Sequence, residues 1–169
     1  NEPRGGVFKH YNIIVKPSNP NADAGFVIME PEDNPPMSGS NAICVSTVLL
    51  EKKIIKMNYP ETLLHLEAPG GLIKVIAECE QNKVKYVSVS NLPSFIDKFD
   101  VELKTENYGT IIVSTAYGGD SFLLCEAKDF NLKIIPENAH SFVRISKDLL
   151  KVANEQIGFK HPTIPSLNY

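Results

Sequence analysis

The stretch Met37-Ser38-Gly39-Ser40-Asn41-Ala42-Ile43-Cys44-Val45-Ser46-Thr47-Val48-Leu49-Leu50-Glu51 constrains the fold most, because it is small and polar at one end and almost wholly apolar for the rest. Pro35-Pro36 keep the chain extended just upstream, and Ser38, Ser40 and Asn41 are good N-cap residues. A helix beginning within 39–41 therefore has a mechanism for starting there. Its body has no clean polar face, as expected of a helix enclosed by other elements. Against this, Ile43, Val45, Thr47 and Val48 are β-branched, and a short apolar run fits a buried strand equally well on propensity. If the stretch is helical, its first N–H groups and positive dipole end must be satisfied by side chains, water or a ligand, for which a small anion is suited. Ser38-Gly39-Ser40 is then a candidate carboxylate or phosphate cradle, weighed against the commoner role of such residues as ordinary caps.

At 169 residues with 43% hydrophobic content, the chain can bury the core of one compact domain or two small lobes. A net charge of -3 with no run of Lys or Arg argues against a nucleic-acid or anionic-membrane partner. No apolar segment approaches the roughly eighteen uninterrupted residues of a membrane span, and no basic-then-apolar signal opens the chain, so the cytoplasm is the expected compartment. Cys44, Cys79 and Cys125 are odd in number, widely spaced and set in apolar sequence, which predicts buried free thiols rather than disulfides or a metal site. His10, His65, His140 and His161 are scattered and read as surface or strand histidines, not ligands. Because the chain starts at Asn1 and stops at Tyr169 just after a Pro-containing loop, it is expected to be a piece of something longer.

Residues 7–15 and 25–30 read as strands separated by the turn-rich loop 16–23. Residues 63–67 and 72–80 flank Ala68-Pro69-Gly70-Gly71, a hairpin signal, and 84–89 alternate as a further strand. A break at Leu92-Pro93-Ser94-Phe95 precedes a strand near 100–103, and 110–115 and 121–126 flank the turn Tyr117-Gly118-Gly119-Asp120. A long helical pattern appears only at 137–157, with Pro136 before it, Phe142, Ile145, Leu149, Val152 and Ala153 at three- and four-residue steps, and Gly158 as C′. The expected fold class is α+β: a mostly antiparallel sheet around one short buried helix, followed by one amphipathic surface helix.

Met37-Ser38-Gly39-Ser40-Asn41-Ala42-Ile43-Cys44-Val45, the hairpin Leu66-Glu67-Ala68-Pro69-Gly70-Gly71-Leu72-Ile73, Asn91-Leu92-Pro93-Ser94-Phe95, Tyr117-Gly118-Gly119-Asp120-Ser121-Phe122 and Ala153-Asn154-Glu155-Gln156-Ile157-Gly158-Phe159 together resemble the proline racemase family. The similarity spans essentially the whole chain and leans to the hydroxyproline epimerase and 3-hydroxyproline dehydratase-like branch. It implies a diaminopimelate-epimerase-like fold of two pseudo-symmetric lobes, each a curved sheet or barrel wrapped round a central helix. Residues 1–115 would form the first lobe, its helix starting near 39, and 116–169 the incomplete start of the second. The resemblance further implies a proline-like imino acid as substrate, held between the lobes with its carboxylate at the helix N-termini. Neither pyridoxal phosphate nor a metal is implied, and a homodimer is compatible. Two acid/base residues would face opposite sides of the substrate Cα. Ser38 stands where the family's Met-Cys-Gly-His segment has its Cys, and Gly39 and Ser40 stand at the carboxylate-binding positions, with Asn41 beside them. The second acid/base segment, of Asp-Arg-Ser-Pro type, is not among these residues.

Serine at position 38 changes the chemistry. A thiol near a helix N-terminus becomes thiolate with a modest shift, whereas a hydroxyl needs a neighbouring base to take its proton, and Ser40 replaces the family's His. Three outcomes remain open: Ser38 acts as an acid in Cα epimerisation of hydroxyproline; a single base elsewhere drives dehydration of trans-3-hydroxyproline; or the protein binds an imino acid without turning it over. A structural domain whose partner lobe supplies all the chemistry is the weakest of the readings.

Overall fold

The computed structural model describes residues 10–30 and 33–168. They form two compact units, one ending at Pro93 and the other beginning at Ser94. The boundary expected at 115 falls inside a strand of the second unit.

In the first unit, β1 (Tyr11–Val15) and β2 (Ala24–Met29) precede the helix α1 (Gly39–Glu51), and β3 (Glu61–Ala68), β4 (Gly71–Glu80) and β5 (Lys83–Ser90) follow it. The part of the first predicted strand at 7–9 lies outside the described residues. The strands make one sheet in the order β1-β2-β3-β4-β5. All pairs are antiparallel except β2 with β3, the pair joined through α1. That exception follows from connectivity, since neighbouring parallel strands need a long crossover. Both edge strands, β1 and β5, contact α1, so the sheet curves round the helix.

The core between them is mostly apolar. Ala42, Val45, Leu49 and Leu50 from α1 pack with Phe26, Ile28, Leu64, Leu66, Ile73, Val75 and Ala77 from the sheet. Alternation along β3 and β4 places these side chains on one face, which is why Thr62, Leu64 and Leu66 are buried while Leu63 is not. The helix is less enclosed than its composition suggests: Ile43 and Val48 are 42% and 48% exposed, and Cys44 is exposed beside them. An apolar helix without a polar face gives no sign of which side the sheet will cover.

The second unit is a three-stranded antiparallel sheet of β6 (Phe95–Thr105), β7 (Gly109–Tyr117) and β8 (Ser121–Cys125), with α2 (Ala139–Gln156) packed on it. Ile145, Leu149 and Ala153 of α2 meet Leu103, Ile111 and Val113. The helical periodicity thus identified the buried stripe, and α2 has its own sheet to cover. Gly158, at φ 56°, closes the helix by donating to Ala153 O at 2.9 Å. Of the charged residues on its outer face, Asp148 is half-buried and accepts from the Tyr108 hydroxyl at 3.1 Å. β6 is longer than the predicted strand because register shifts between Ile96 and Lys98 and between Lys98 and Val101 interrupt its alternation.

Of the three thiols, Cys79 is buried, whereas Cys44 and Cys125 are exposed. Cys44 lies on the uncovered side of α1 and Cys125 ends the edge strand β8, positions that apolar sequence neighbours do not reveal. Among the described residues no helix is long and apolar enough to cross a membrane.

Candidate active site at the start of α1

Two anchors fix the approach to α1. Met37 is buried in the core immediately before the helix, and Pro36 O accepts the Gly70 N–H at 3.0 Å, tying the approach segment to the β3–β4 turn. Ser38 follows as N-cap with extended backbone, φ −141° and ψ 128°, and its carbonyl takes the first helical hydrogen bond from Ala42 N at 3.0 Å.

The Ser38 side chain does not cap the helix. Among the described residues no side chain accepts from the first-turn N–H groups, and the first turn holds no acidic residue. Instead Ser38 Oγ accepts a hydrogen bond from Asn41 Nδ2 at 3.0 Å and lies 3.3 Å from Ser40 Oγ. Since Ala42 N is the first donor with an intrahelical acceptor, the N–H groups of Gly39, Ser40 and Asn41 carry the positive end of the helix dipole without a helical partner. Gly39 and Ser40 are exposed, and a Cβ added at Gly39 would meet nothing within 4 Å. The geometry is that of an uncapped helix start opening to solvent, with one half-buried hydroxyl at its rim.

The four residues singled out from the sequence are thus contiguous in space, but they are not equivalent. Ser38, Gly39 and Ser40 face outward; Asn41 is buried, and its side-chain amide is turned into the protein. Asn41 can reach a ligand only through its backbone N–H. Its Oδ1 accepts from Asn12 Nδ2 at 2.9 Å, a contact made by β1 that the sequence reading did not contain. The available signal was a lone amide in a strand where it pairs across from the fully buried Ile28.

Other candidate features serve the fold. In the turn after β7, Gly119 has φ 104° and Gly118 N donates to Asp120 O at 2.9 Å. Phe95 stacks on Tyr117 and Phe159, with His161 edge-on to Phe95 and Tyr117. His161 Nδ1 accepts from the Thr163 and Ile164 N–H groups, and His10 pairs with Glu30 at 2.9 Å. Burial, and then the charge of Asp120, push the Tyr117 hydroxyl up from its ordinary value. Among the described residues no cluster of three or more His, Cys, Asp or Glu is arranged to hold a metal.

The whole chain, residues 1–169, matches the proline racemase family. A probable proline racemase from Agrobacterium radiobacter K84, solved with bound carbonate, superposes with a TM-score of 0.86 at 35% identity, covering 99% of this chain and 49% of that one. A hydroxyproline epimerase from Agrobacterium vitis, solved with bound trans-4-OH-L-proline, superposes with the same TM-score of 0.86 at 36% identity and the same coverage, 99% and 49%. Methylitaconate-delta-isomerase shares the fold, with a TM-score of 0.50 at 16% identity over 89% of this chain and 52% of that one. The chain therefore spans about half the length of the solved relatives it matches. On the family match over its full length and two solved relatives at more than a third identity, the chain belongs to the proline racemase family.

Proposed function

We propose that the protein catalyses cofactor-independent 2-epimerisation of proline-like imino acids such as hydroxyproline, with the start of α1 as one half of its active site. The observation that carries this reading is the uncapped helix N-terminus: Ser38 gives its oxygen to Asn41 rather than to the backbone, which leaves the N–H groups of Gly39, Ser40 and Asn41 for an anion. A substrate carboxylate there accepts hydrogen bonds from a fixed dipole, and those bonds strengthen as Cα loses its proton and charge moves onto the carboxylate. The relative solved with trans-4-OH-L-proline supports the ligand class.

Ser38 is assigned the acid role. Its neighbours among the described residues are an amide and a hydroxyl, neither of them a base to take its proton. A hydroxyl that accepts one hydrogen bond and keeps its own proton is suited to returning a proton to Cα, and the alkoxide this leaves takes a proton back from solvent before the next turnover. The base, which approaches from the opposite face, is proposed to come from outside these residues. The same lack of a base at Ser38 favours a second reading, dehydration of trans-3-hydroxyproline, which needs only one good base. Cytoplasmic residence and a homodimer belong to this proposal, and fractionation and sedimentation check them.

Proton NMR of the complete protein in D₂O with trans-4-hydroxy-L-proline, cis-4-hydroxy-D-proline, L-proline and trans-3-hydroxy-L-proline tests the reading. Deuterium at Cα with epimer formation is the expected result. Exchange or substrate loss without epimer would point to one-sided base chemistry such as dehydration. Raised melting temperature with no exchange from any of them would leave a binding protein and overturn the enzyme.

A further inference from the structure

The Asn12–Asn41–Ser38 relay leaves one buried acceptor unmatched. Asn12 Nδ2 donates to Asn41 Oδ1 at 2.9 Å, and Asn41 Nδ2 donates to Ser38 Oγ at 3.0 Å, but Asn12 Oδ1 is buried without a partner among the described residues. What Asn12 does supply is direction. A carboxamide has one donor end and one acceptor end, and by donating to the acceptor end of Asn41 it forces the donor end toward Ser38.

Resting on the function proposed above, we infer that Asn12 is a positioning residue for Ser38, acting through Asn41. With Asn41 held in this sense, Ser38 Oγ is an acceptor on its inner side, so its hydroxyl proton is free to point at Ser40 or at a ligand. Two consequences follow together. Ser38 is held off the backbone N–H groups it would otherwise cap, which keeps the carboxylate cradle open. Its proton is presented outward, as an acid requires. Were the Asn41 amide reversed, its oxygen would face Ser38 Oγ and draw the same proton inward.

Asn12→Asp in the complete protein tests this. An ionised carboxylate cannot donate to Asn41 Oδ1, so the Asn41 amide turns its nitrogen to β1 and its oxygen to Ser38. The expected result is a fall in kcat of roughly tenfold or more, the scale set by misorientation of a reacting group, with KM and melting temperature near wild type. The deficit should narrow as the pH falls and the introduced carboxyl protonates, because the protonated group can donate again. A merely structural Asn12 would show neither the split between kcat and KM nor the recovery at low pH. A folded variant with kcat within about twofold of wild type, below the scale a misoriented group produces, would overturn the inference, as would equal loss of kcat, KM and melting temperature. If Asn12→Asp does not fold, Asn12→Leu carries the same criterion through kcat and KM. Wild-type protein that exchanges no imino acid would instead overturn the proposed function, so the two failures are distinct.

Discussion

Asn41 Nδ2 donates to Ser38 Oγ at 3.0 Å, and this side-chain pair stands where a serine at the N-cap would ordinarily bond the backbone two or three residues on. The departure decides what the helix start can do. A capped N-terminus has spent its donors, whereas this one has no acceptor for them among the described residues and sets them beside a hydroxyl whose oxygen is already engaged.

Replacing Asn41 with Leu removes both ends of the relay. The residue is 7% exposed, and its loss leaves Asn12 with an unpaired donor in addition to its unpaired acceptor. The expected destabilisation is about 1–3 kcal/mol, the usual cost of a buried polar group left unsatisfied. Urea denaturation measures it, and Asn41→Asp, which can still accept from Asn12, should lose less.

Gly39 has open space where a side chain would begin, so beyond its chain neighbours and its own helix backbone a larger residue there meets nothing within 4 Å of its Cβ among the described residues. Gly39→Phe is expected to fold normally and to lie over the free N–H groups. Hydroxyproline should then no longer raise the melting temperature by calorimetry, while Gly39→Ala keeps that response.

Glu67 fastens the loop after β1. Its carboxylate accepts from Ser18 Oγ at 2.5 Å, Ser18 N at 2.6 Å and Asn19 N at 3.1 Å. The Ser18 hydroxyl first, and then the Asn19 and Ser18 N–H groups, hold the carboxyl below its ordinary value of 4.5 despite some desolvation. A depressed folded-state value means the carboxylate stabilises the fold above 4.5 and that this contribution fades as the pH falls below it. The stability difference between wild type and Glu67→Gln should therefore be full at neutral pH and shrink through the acid range, as measured by denaturation at several pH values.

Leu66 is fully buried between β2 and β4, pairing across from Ala24 and Ile73. Leu66→Ala is expected to cost about 2–5 kcal/mol, the range for a core leucine whose cavity collapses only in part. The equivalent change at Leu63, 53% exposed on the opposite face of the same strand, should cost far less in the same denaturation assay.

Much of this was legible in the residues themselves. Pro35-Pro36 followed by small polar residues put the start of a helix, if one formed, within 39–41, where α1 does begin, and Ala68-Pro69-Gly70-Gly71 located the β3–β4 hairpin, because both signals are local backbone chemistry. The stripe of α2 was likewise readable, since Ile145, Leu149 and Ala153 repeat at helical spacing. Tertiary choices were not. Which side of an all-apolar α1 the sheet covers, and hence the exposure of Cys44, depends on strands far away in sequence. The bulges of β6 erase the alternation that would have shown its full length. The partnership of Asn12 with Asn41 spans 29 residues and leaves no periodic trace.

The most direct test of the central claim is the rate of Cα deuterium incorporation and epimer formation with trans-4-hydroxy-L-proline, by proton NMR, in the complete protein and its Ser38→Ala variant. The helix-start site predicts that Ser38→Ala loses epimer formation by about a hundredfold or more, the usual contribution of a positioned proton donor. Its melting temperature should still rise with ligand, because the N–H groups that hold the carboxylate remain. Epimerisation by Ser38→Ala at a rate near that of the wild type would contradict the assignment and move the chemistry away from the start of α1.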